Sequence, residues 1–461
     1  MFDQERLHKS RIQTTPALDS NNMSRGNTEV AIVGGGLVGA LEACYLGSHG
    51  YKVNLYEYRK DIREMEHIQG RSINLALSVR GREALRKVGL EDEVLMRLGT
   101  PMYARMIHNI DGTLNEIPYG QRHECIYSVS RRILNEILLT DENLKPFCFQ
   151  PSFEVFIDSE NKAILLTILK SNGEETESKA DLIVGCDGTF SAVRRAIMQA
   201  PGFNLNQTWI DHGYMELCMD PDSDGEYKMK ENYLHIWPRG DFMMIALPNM
   251  DRSFTMTLFM PFYIFDELNS DEAVMQFFEK HFPDSIELIG KKKLLEDFEN
   301  TKASRLIYIK GFEDCLLLNE LLEEYNHDFT KVLPEYSRKR TVDAHAIADL
   351  ALYNYLEMRD HVNSLSFILR KKVDNLIYKV CPSKWIPLYS MVTFSRMRYS
   401  ECVENRKWQD KVILNAKRLI QATLVTSLLG FTIWKYNDIK ALVPQTENIH
   451  AYLSNVLSKL S

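Results

Sequence analysis

The spacing of apolar residues changes along the chain, and each change predicts a different kind of structure. An apolar run at 30–33, a helical stretch that begins near Leu37 and a second apolar run at 53–56 predict a strand–helix–strand unit. Between about 201 and 298 apolar and polar residues alternate, which is typical of a sheet with one buried face. From 316 to about 410 the pattern is amphipathic and predicts long helices. The chain is therefore predicted to be an α/β protein with a C-terminal helical region.

A segment near the C-terminus lacks a polar face altogether. Leu419 to Trp434 contains sixteen residues without a charge, and Lys417, Arg418 and Lys435 flank it. A membrane span needs about 20 apolar residues, with a range of roughly 17–25, so this segment is short for one. Its terminal position and basic flanks favour a tail anchor, and a buried or interfacial helix is the alternative.

Together these patterns divide the chain into five segments. The N-terminal residues are polar and lack the apolar run of a signal peptide. The predicted segments are a disordered tail (1–28), an α/β domain (29–200), an inserted mixed β-sheet domain (201–298), the remainder of the first domain with the C-terminal helices (299–410), and a membrane-anchor segment with a tail (411–461).

The turn between the first strand and the first helix carries the spacing Gly34-x-Gly36-x-x-Gly39. In this context Gly34 allows a tight turn, Gly36 lets a pyrophosphate approach the backbone, and Gly39 lets the helix pack closely against the strand. The helix N-terminus then presents free N–H groups to the phosphates. Glu57 ends the second strand, where a carboxylate can accept hydrogen bonds from a ribose. We therefore predict a dinucleotide site; a glycine turn in an ordinary βαβ unit is the alternative.

Composition excludes several other classes of protein. A net charge of −8 gives no indication of nucleic-acid binding. The eight cysteines contain no CxxC pair, which argues against structural zinc and against a disulfide framework. The twelve histidines show neither an HxxxH nor an HExxH pattern, so no metal site is predicted.

A second glycine-containing motif, DLIVGCDGTFSAVRRAI, occupies 181–197. A predicted strand delivers Asp187 and Gly188 into a turn before a helix, where the carboxylate can accept from a ribityl or ribose hydroxyl. Together with the upstream glycine fingerprint, this motif resembles the single-component FAD-dependent aromatic hydroxylases. Further segments are similar to that family from about Glu29 to the apolar segment: GRSINLALS, PMYARMIH, IPYG, YSVSR, NYLHIWPR, FMMIALPN, GFEDC, YNYLEMRDHVNS and IPLYSMVTFSRMRY.

The resemblance implies bound FAD, with NADPH as a transient co-substrate, and the absence of a second nucleotide fingerprint fits such a family. In such enzymes NADPH reduces the flavin, O₂ adds to it, and a hydroxyl group passes to an aromatic ring. The implied substrate is L-kynurenine, hydroxylated at the ring carbon ortho to the amino group. The flavin carries this chemistry, so no protein residue is predicted to be catalytic; the protein orients the cofactor and excludes water. The resemblance also implies anchoring in the mitochondrial outer membrane, facing the cytosol, and it leaves the oligomeric state unknown.

The resemblance makes 29–200 a Rossmann-like FAD-binding domain that includes part of the substrate site, and 201–298 the substrate domain. It also assigns substrate residues motif by motif. Arg105 in PMYARMIH would pair with an amino-acid carboxylate, for which a bidentate guanidinium is suited. Tyr119 in IPYG would donate to the same carboxylate, and Asn354 in YNYLEM and Tyr389 in IPLYS would contact the substrate from the C-terminal helices. On sequence alone, Arg105 could be a surface charge, Asn354 a solvated residue and both tyrosines core aromatics.

The resemblance also assigns cofactor contacts, and one of them has an alternative role. Arg131 follows a predicted strand and could simply cap the next helix. The cofactor-contacting positions are Gly34, Gly36, Val38, Gly39, Glu57, Arg59, Ala76, Arg131 and Asp187.

The chain departs from the family at the Lys310–Gly311 junction. A third flavin motif, Gly-Asp-Ala-Ala-His between a strand and a helix, is expected shortly before GFEDC, and a few dozen residues that would carry it are missing. Their loss would remove a ribityl-binding aspartate and a helix N-terminus aimed at the flavin, and it would expose a sheet edge.

This departure leaves alternatives to an active hydroxylase. One is a catalytically impaired or silent membrane-anchored isoform, arising from a splice variant or a gene-model truncation. Another is an NAD(P)-dependent dehydrogenase built on the same fingerprint, which the Asp187–Gly188 motif and the sheet domain disfavour.

Overall fold

The computed structural model of the chain describes residues 27–65, 74–119, 124–141, 155–157, 164–169, 175–198, 209–305, 311–360, 362, 364–442, 454–455 and 458. The predicted N-terminal tail up to residue 26 and the residues before the Lys310–Gly311 junction, 306–310, lie outside these described residues. The chain divides into two compact units, 1–399 and 400–461. The five-segment division made from the sequence stays a prediction.

The described residues form the following elements. The strands are β1 (Glu29–Val33), β2 (Lys52–Tyr56), β3 (Asn74–Leu77), β4 (Thr100–Met102), β5 (Ala104–His108), β6 (Leu114–Pro118), β7 (Ile126–Ser130), β8 (Val155–Ile157), β9 (Ile164–Leu169), β10 (Glu175–Ala180), β11 (Leu182–Gly185), β12 (His212–Met219), β13 (Tyr233–Pro238), β14 (Met243–Pro248), β15 (Phe254–Pro261) and β16 (Ser304–Arg305). The helices are α1 (Leu37–Ser48), α2 (Val79–Lys87), α3 (Glu91–Leu98), α4 (Arg131–Thr140), α5 (Ala192–Ile197), α6 (Phe262–Glu267), α7 (Asp271–His281), α8 (Pro283–Ile289), α9 (Lys291–Asn300), α10 (Gly311–Glu324), α11 (Phe329–Arg359), α12 (Leu365–Val380), α13 (Leu388–Phe394) and α14 (Tyr399–Leu442).

A parallel three-stranded sheet of order β11-β1-β2 carries the glycine turn. The register places Val33, Tyr56 and Gly185 side by side at the carboxyl ends of the strands, the edge at which ligands bind in open α/β sheets. On its second side β11 has no paired strand among the described residues. The predicted strand–helix–strand unit is present, and the loss of a third motif beside it stays a prediction.

A seven-stranded sheet has the order β16-β12-β15-β14-β13-β5-β6. Its described pairs are antiparallel except β13 with β5, which run parallel. Strands β5 and β6 come from the segment assigned to the first domain, so this sheet recruits chain from well before residue 201. The alternation along β15 predicts one buried face, but Thr257 on the other face is buried too. The cause is helix α11, whose Tyr355 ring lies 6.0 Å from the ring of Phe259.

Both faces of the seven-stranded sheet carry cores. The face toward Arg105 packs Ile107 and Ile236 against Met358 of α11 and Phe394 of α13. The opposite face packs on α7, α8 and α9, and thioether side chains make up much of its core. The buried methionines in this core are Met215, Met219, Met244, Met256, Met260 and Met275.

A buried guanidinium ties the C-terminal helices to the dinucleotide-binding part. Arg80 of α2 is only 4% exposed. It pairs with Glu313 of α10 and donates to the carbonyl of Val392 in α13 at 2.8 Å. Helix α10 also lies against α1 so closely that a Cβ on Gly311 would come within 2.2 Å of Val38.

The C-terminal unit is dominated by α14, which spans 44 residues. The part from 399 to 436 is long and apolar enough to cross a membrane, by length and composition. None of its apolar window is buried by the rest of the protein. The large apolar side chains from Leu419 to Trp434 are accordingly exposed.

Candidate active site

The three fingerprint glycines have three different physical reasons to lack a side chain. Gly34 has φ +105°, and a Cβ there would approach the carbonyl oxygen of Cys186 to 2.5 Å. A Cβ on Gly39 would lie 1.8 Å from the carbonyl oxygen of Gly34. A Cβ on Gly36 would meet nothing within 4 Å, so the space in front of the α1 N-terminus is open. An uncapped helix N-terminus beside open space fits a pyrophosphate.

Glu57 stands at the end of β2, next to that open space. Its Oε2 accepts the N–H of Gly35 at 2.8 Å, and its Oε1 accepts Nε of Arg59 at 2.8 Å. Burial opposes the charge, but the hydrogen bonds from Arg59 and Gly35 outweigh it and lower the pKa of the Glu57 carboxyl. The group is therefore an ionised, oriented acceptor, as an adenosine ribose requires.

Asp187 lies beside the glycine turn, but its carboxylate is hydrogen-bonded to residues that follow it closely in the chain. It accepts the Ser191 hydroxyl at 2.6 Å and the N–H groups of Ala192 and Val193 at 2.6 and 3.2 Å. The side chain thus caps the first turn of α5 and leaves fewer lone pairs for a ribityl hydroxyl than the sequence suggests.

The remaining predicted cofactor positions lie on neighbouring elements. Ala76 is exposed on β3, and Arg131 is exposed at the start of α4. Ser130, not Arg131, is the N-cap of α4, because its hydroxyl accepts the N–H of Ile133. Val38 packs toward Gly311 of α10. Their contacts with a cofactor stay a prediction.

All four predicted substrate residues meet in one cluster. Arg105 of β5 is 3% exposed, and its Nη2 donates to Asn354 Oδ1 at 3.2 Å. Its guanidinium lies 4.5 Å from the ring centre of Tyr389 and 5.9 Å from that of Tyr119. The two tyrosine rings stack at 5.3 Å with an interplanar angle of 10°. Arg105 Nε has no hydrogen-bond partner among the described residues and is free to bind a carboxylate.

Sequence reasoning missed two charged members of this cluster. Glu357 pairs with Arg105 Nη1 at 2.8 Å, and Lys371 of α12 donates to the Pro118 carbonyl at 3.4 Å. The spacing Asn354-x-x-Glu357 puts both side chains on one face of α11 and could have indicated the glutamate. Lys371 sits in an amphipathic helix rich in lysine, so its sequence gives no such signal.

The electrostatics of the cluster follow from burial. Burial opposes the charge of Arg105, but Tyr389 and Glu357 more than compensate and raise its pKa. Burial raises the pKa of the Tyr119 hydroxyl, which therefore stays protonated as a hydrogen-bond donor. Burial, with a smaller contribution from Arg105, lowers the pKa of Lys371 to about 8. The cluster can thus offer one permanent and one titratable cation beside a carboxylate.

The sequence of the chain is similar to one family model and to named proteins of several organisms. A family model described as an FAD binding domain matches residues 27–302. Kynurenine 3-monooxygenase of Anopheles gambiae is 48% identical over 430 residues, which cover 86% of this chain and 88% of that protein. The protein of the same name from Sus scrofa is 44% identical over 429 residues, or 87% of this chain and 90% of that protein.

Solved structures show the same fold at much lower identity. Klebsiella pneumoniae HpxO, complexed with FAD and uric acid, has a TM-score of 0.57 and 15% identity over 76% of this chain and 93% of its own. Pseudomonas aeruginosa PqsL, in complex with 2-aminobenzoylacetate, has a TM-score of 0.55 and 18% identity over 72% of this chain and 97% of its own.

The alignment lengths bear on the missing segment. The mosquito alignment has 430 positions, whereas 86% of the 461 residues is about 396, so about 34 positions have no residue in this chain. A deficit of this size is in line with the few dozen residues expected to carry the third flavin motif.

The match to the FAD-binding domain covers more than half of the chain, and the similarity to curated relatives extends over most of both sequences. The predicted fold is therefore confirmed, as is FAD as the cofactor. The chain belongs to the kynurenine 3-monooxygenase family.

Proposed function

We propose that this chain hydroxylates L-kynurenine to 3-hydroxykynurenine, with NADPH and O₂ as co-substrates. The observation that carries the proposal is the cluster of Arg105, Asn354, Glu357 and Tyr389, whose buried guanidinium and carboxylate are complementary to the two charges of an amino acid. The open space at Gly36 and the Glu57 carboxylate beside it support FAD binding at the α1 N-terminus. The relatives named for this reaction are the reason for choosing kynurenine among aromatic amino acids.

The cluster suggests how the amino-acid end of the substrate binds. The α-carboxylate pairs with Arg105, whose Nε is available and whose Nη1 now holds Glu357. A carboxylate that replaces Glu357 on the guanidinium frees the glutamate for the α-ammonium group. The exchange keeps every buried charge paired, which a buried site requires. The stacked rings of Tyr119 and Tyr389 form an apolar wall beside the same site.

The cofactor supplies the oxygen-activating chemistry when it is bound, and the chain supplies its binding site. The open space at Gly36 would admit the pyrophosphate, and Glu57, which is held by the Gly35 N–H, would accept from the ribose. The packed helices α11 and α13 keep water from the Arg105 side of the sheet.

The test is a visible absorbance spectrum of the detergent-solubilised protein, followed by kynurenine-dependent NADPH oxidation with detection of 3-hydroxykynurenine. We expect bound flavin and product formation. Flavin-free folded protein without turnover would support the silent isoform, an alternative that the comparisons do not favour over the enzyme. Turnover without flavin would revive the dehydrogenase hypothesis.

The pKa of Lys371 leads to a pH-dependent prediction. A protonated Lys371 adds a positive charge near Arg105, and its pKa of about 8 means that this charge is lost as the pH rises through 8. We therefore expect the KM for kynurenine to rise several-fold between pH 7 and pH 9. Lys371→Met should have the higher KM already at pH 7 and a flatter profile, measured by steady-state NADPH oxidation. Identical profiles for the two proteins would show that Lys371 does not act on the substrate.

We propose that α14 anchors the protein in a membrane, and by family resemblance that the membrane is the mitochondrial outer membrane with the enzyme in the cytosol. The support is the uncovered apolar helix between Lys417 and Lys435. The full chain is expected to co-sediment with phosphatidylcholine vesicles, and a chain that ends at Asp410 is expected to stay in solution. Equal partitioning of the two would contradict the anchor, and protease accessibility in isolated mitochondria would test the orientation.

A further inference from the structure

Helix α12 exposes an apolar stripe along its whole length. Leu365 is 84% exposed, Leu369 and Leu376 are each 65% exposed, and Val380 is 75% exposed. Their spacing of 4, 7 and 4 residues places them along one side of the helix. At 1.5 Å per residue the stripe is roughly 22 Å long. We call the exposed residues of α12 its outer face; they are Leu365, Ser366, Ile368, Leu369, Lys372, Leu376, Lys379 and Val380.

Charged contacts fix the opposite side of α12 to the protein. Asp374, the only carboxylate of the helix, is 5% exposed. It pairs with Arg370 at 2.9 Å and accepts the indole N–H of Trp385 at 3.0 Å. Lys371 donates to the Pro118 carbonyl at 3.4 Å. Because breaking a buried charged contact is costly, these contacts hold the helix with its apolar stripe turned outward.

The outer face combines apolar side chains with positive charge. Five of its eight residues are apolar, one is a serine, and the two charged ones are Lys372 and Lys379. Lys384, in the turn after the helix, is exposed as well. No exposed residue from 365 to 384 is acidic. An apolar stripe with lysines is typical of a helix that lies in the plane of an anionic membrane, where the lysine stems extend to the headgroups.

Two further observations favour a lipid surface over a protein partner. Lysine is depleted in protein–protein interfaces, yet Lys372 lies in the middle of the stripe, between Leu369 and Leu376. The chain also carries the uncovered apolar helix α14, for which we propose a membrane anchor. A tethered protein meets the lipid surface at a high effective concentration, so even a weak interfacial contact is populated.

We propose that the outer face of α12 is a membrane-contact surface that lies on anionic phospholipid headgroups, in addition to the anchor in α14. Its leucines enter the boundary between headgroups and acyl chains, and Lys372 and Lys379 pair with the anionic groups of the lipids. The proposal rests on the proposed anchoring only for the tether, because α12 requires anionic lipid and α14 does not. Lys371, on the inner side of the same helix, lies near Arg105, so the substrate cluster is then one helix away from the membrane surface.

The test is photo-crosslinking of the full-length protein in vesicles. Leu369 is replaced by p-benzoylphenylalanine, and the vesicles contain phosphatidylcholine alone or phosphatidylcholine mixed with phosphatidylserine. We expect a phospholipid adduct on the labelled peptide in the anionic vesicles, detected by mass spectrometry, and a severalfold lower yield in the neutral ones. Lys372→Glu combined with Lys379→Glu should lower the yield in anionic vesicles to the neutral level, because the attraction becomes a repulsion.

Two other label positions separate this contact from the anchor. Met96 on α3 is apolar and 71% exposed, but it lies near Asp92 and Glu93 and should give no adduct. Leu428 in α14 is 63% exposed and should give an adduct in both kinds of vesicle. An adduct at Leu369 without one at Leu428 would support the outer face and contradict the anchor.

Four results would overturn the proposal. The first is a label at Leu369 that gives no lipid adduct in anionic vesicles, whatever the label at Leu428 does. The second is a crosslinked product at twice the mass of the chain, which would identify a second copy as the occupant. The third is a crosslink within one chain, which would show that another segment covers the stripe. The fourth is an equal yield in neutral and anionic vesicles that the lysine substitutions leave unchanged.

Discussion

Arg105→Ala is expected to raise the KM for L-kynurenine by at least about 100-fold and to leave flavin content nearly unchanged. The guanidinium is the permanent cation of the site, and its removal leaves Glu357 buried without a counter-ion. In the bound state the removal also leaves the substrate's carboxylate without its cation, and breaking that buried pair costs about 3–5 kcal/mol, which corresponds to at least about 100-fold in affinity. Steady-state NADPH oxidation against kynurenine concentration gives the KM, and the absorbance spectrum gives the flavin content.

Two further variants separate charge from geometry. Arg105→Lys keeps a cation but loses the fork that can bind a carboxylate and Asn354 together, so an intermediate KM is expected. Arg97→Ala removes an exposed arginine of α3 whose partner is Glu93 on the same helix, and it should behave like the wild type. A normal KM in a flavin-loaded Arg105→Ala protein would show that the substrate carboxylate binds elsewhere.

Gly36→Ala is expected to fold and yet to lose FAD. The added methyl group would meet no protein atom within 4 Å, and Gly36 has φ −72°, which any residue can adopt. The methyl group would instead occupy the space that the pyrophosphate needs beside the α1 N-terminus. We expect a normal circular dichroism spectrum together with at least a tenfold loss of FAD affinity, measured by reconstitution of the flavin-free protein.

Gly39→Ala is the contrasting variant three residues away. Here the methyl group would lie 1.8 Å from the carbonyl oxygen of Gly34, so α1 must move away from β1. We expect loss of the folded protein as well as of the flavin. If Gly36→Ala bound FAD normally, the fingerprint glycines would serve only to let α1 pack against β1. If both variants were equally unfolded, the open space at Gly36 would not be the cofactor seat.

The sequence predicts the parts of the site that depend on short local patterns. A few neighbouring residues are enough to predict the strand, glycine turn and helix around Gly34 and the acceptor at Glu57. The reason is that these features depend on local steric and hydrogen-bonding requirements. The roles of Tyr119 and Tyr389 come from resemblance, because nothing local distinguishes a stacked active-site tyrosine from a core one. The structure brings them together with Arg105 from widely separated parts of the chain.

The missed features arise from tertiary contacts. Glu357 acquires its role only because α11 crosses β5 at Arg105, and Lys371 only because α12 places it, half-buried, near that pair. The division of the sequence into segments did not reveal that β5 pairs with β13, since the residues of the two strands lie more than a hundred positions apart. The role of Asp187 as a ribityl acceptor stays a prediction, and locally the Ser191 hydroxyl and the Ala192 amide compete for the same carboxylate oxygens.

The methionine-rich core behind the seven-stranded sheet affects how long the enzyme resists oxidative inactivation. An oxygenase works beside an oxidant, and a methionine converted to its sulfoxide changes from a flexible apolar filler into a polar group. Met219, Met244, Met256 and Met260 are each fully buried, so oxidants reach them only when α7, α8 and α9 open. The rate at which these methionines are oxidised therefore depends on how often the three helices separate from the seven-stranded sheet. Helix α8 is held to that sheet by the hydrogen bond between Asp284 and His108.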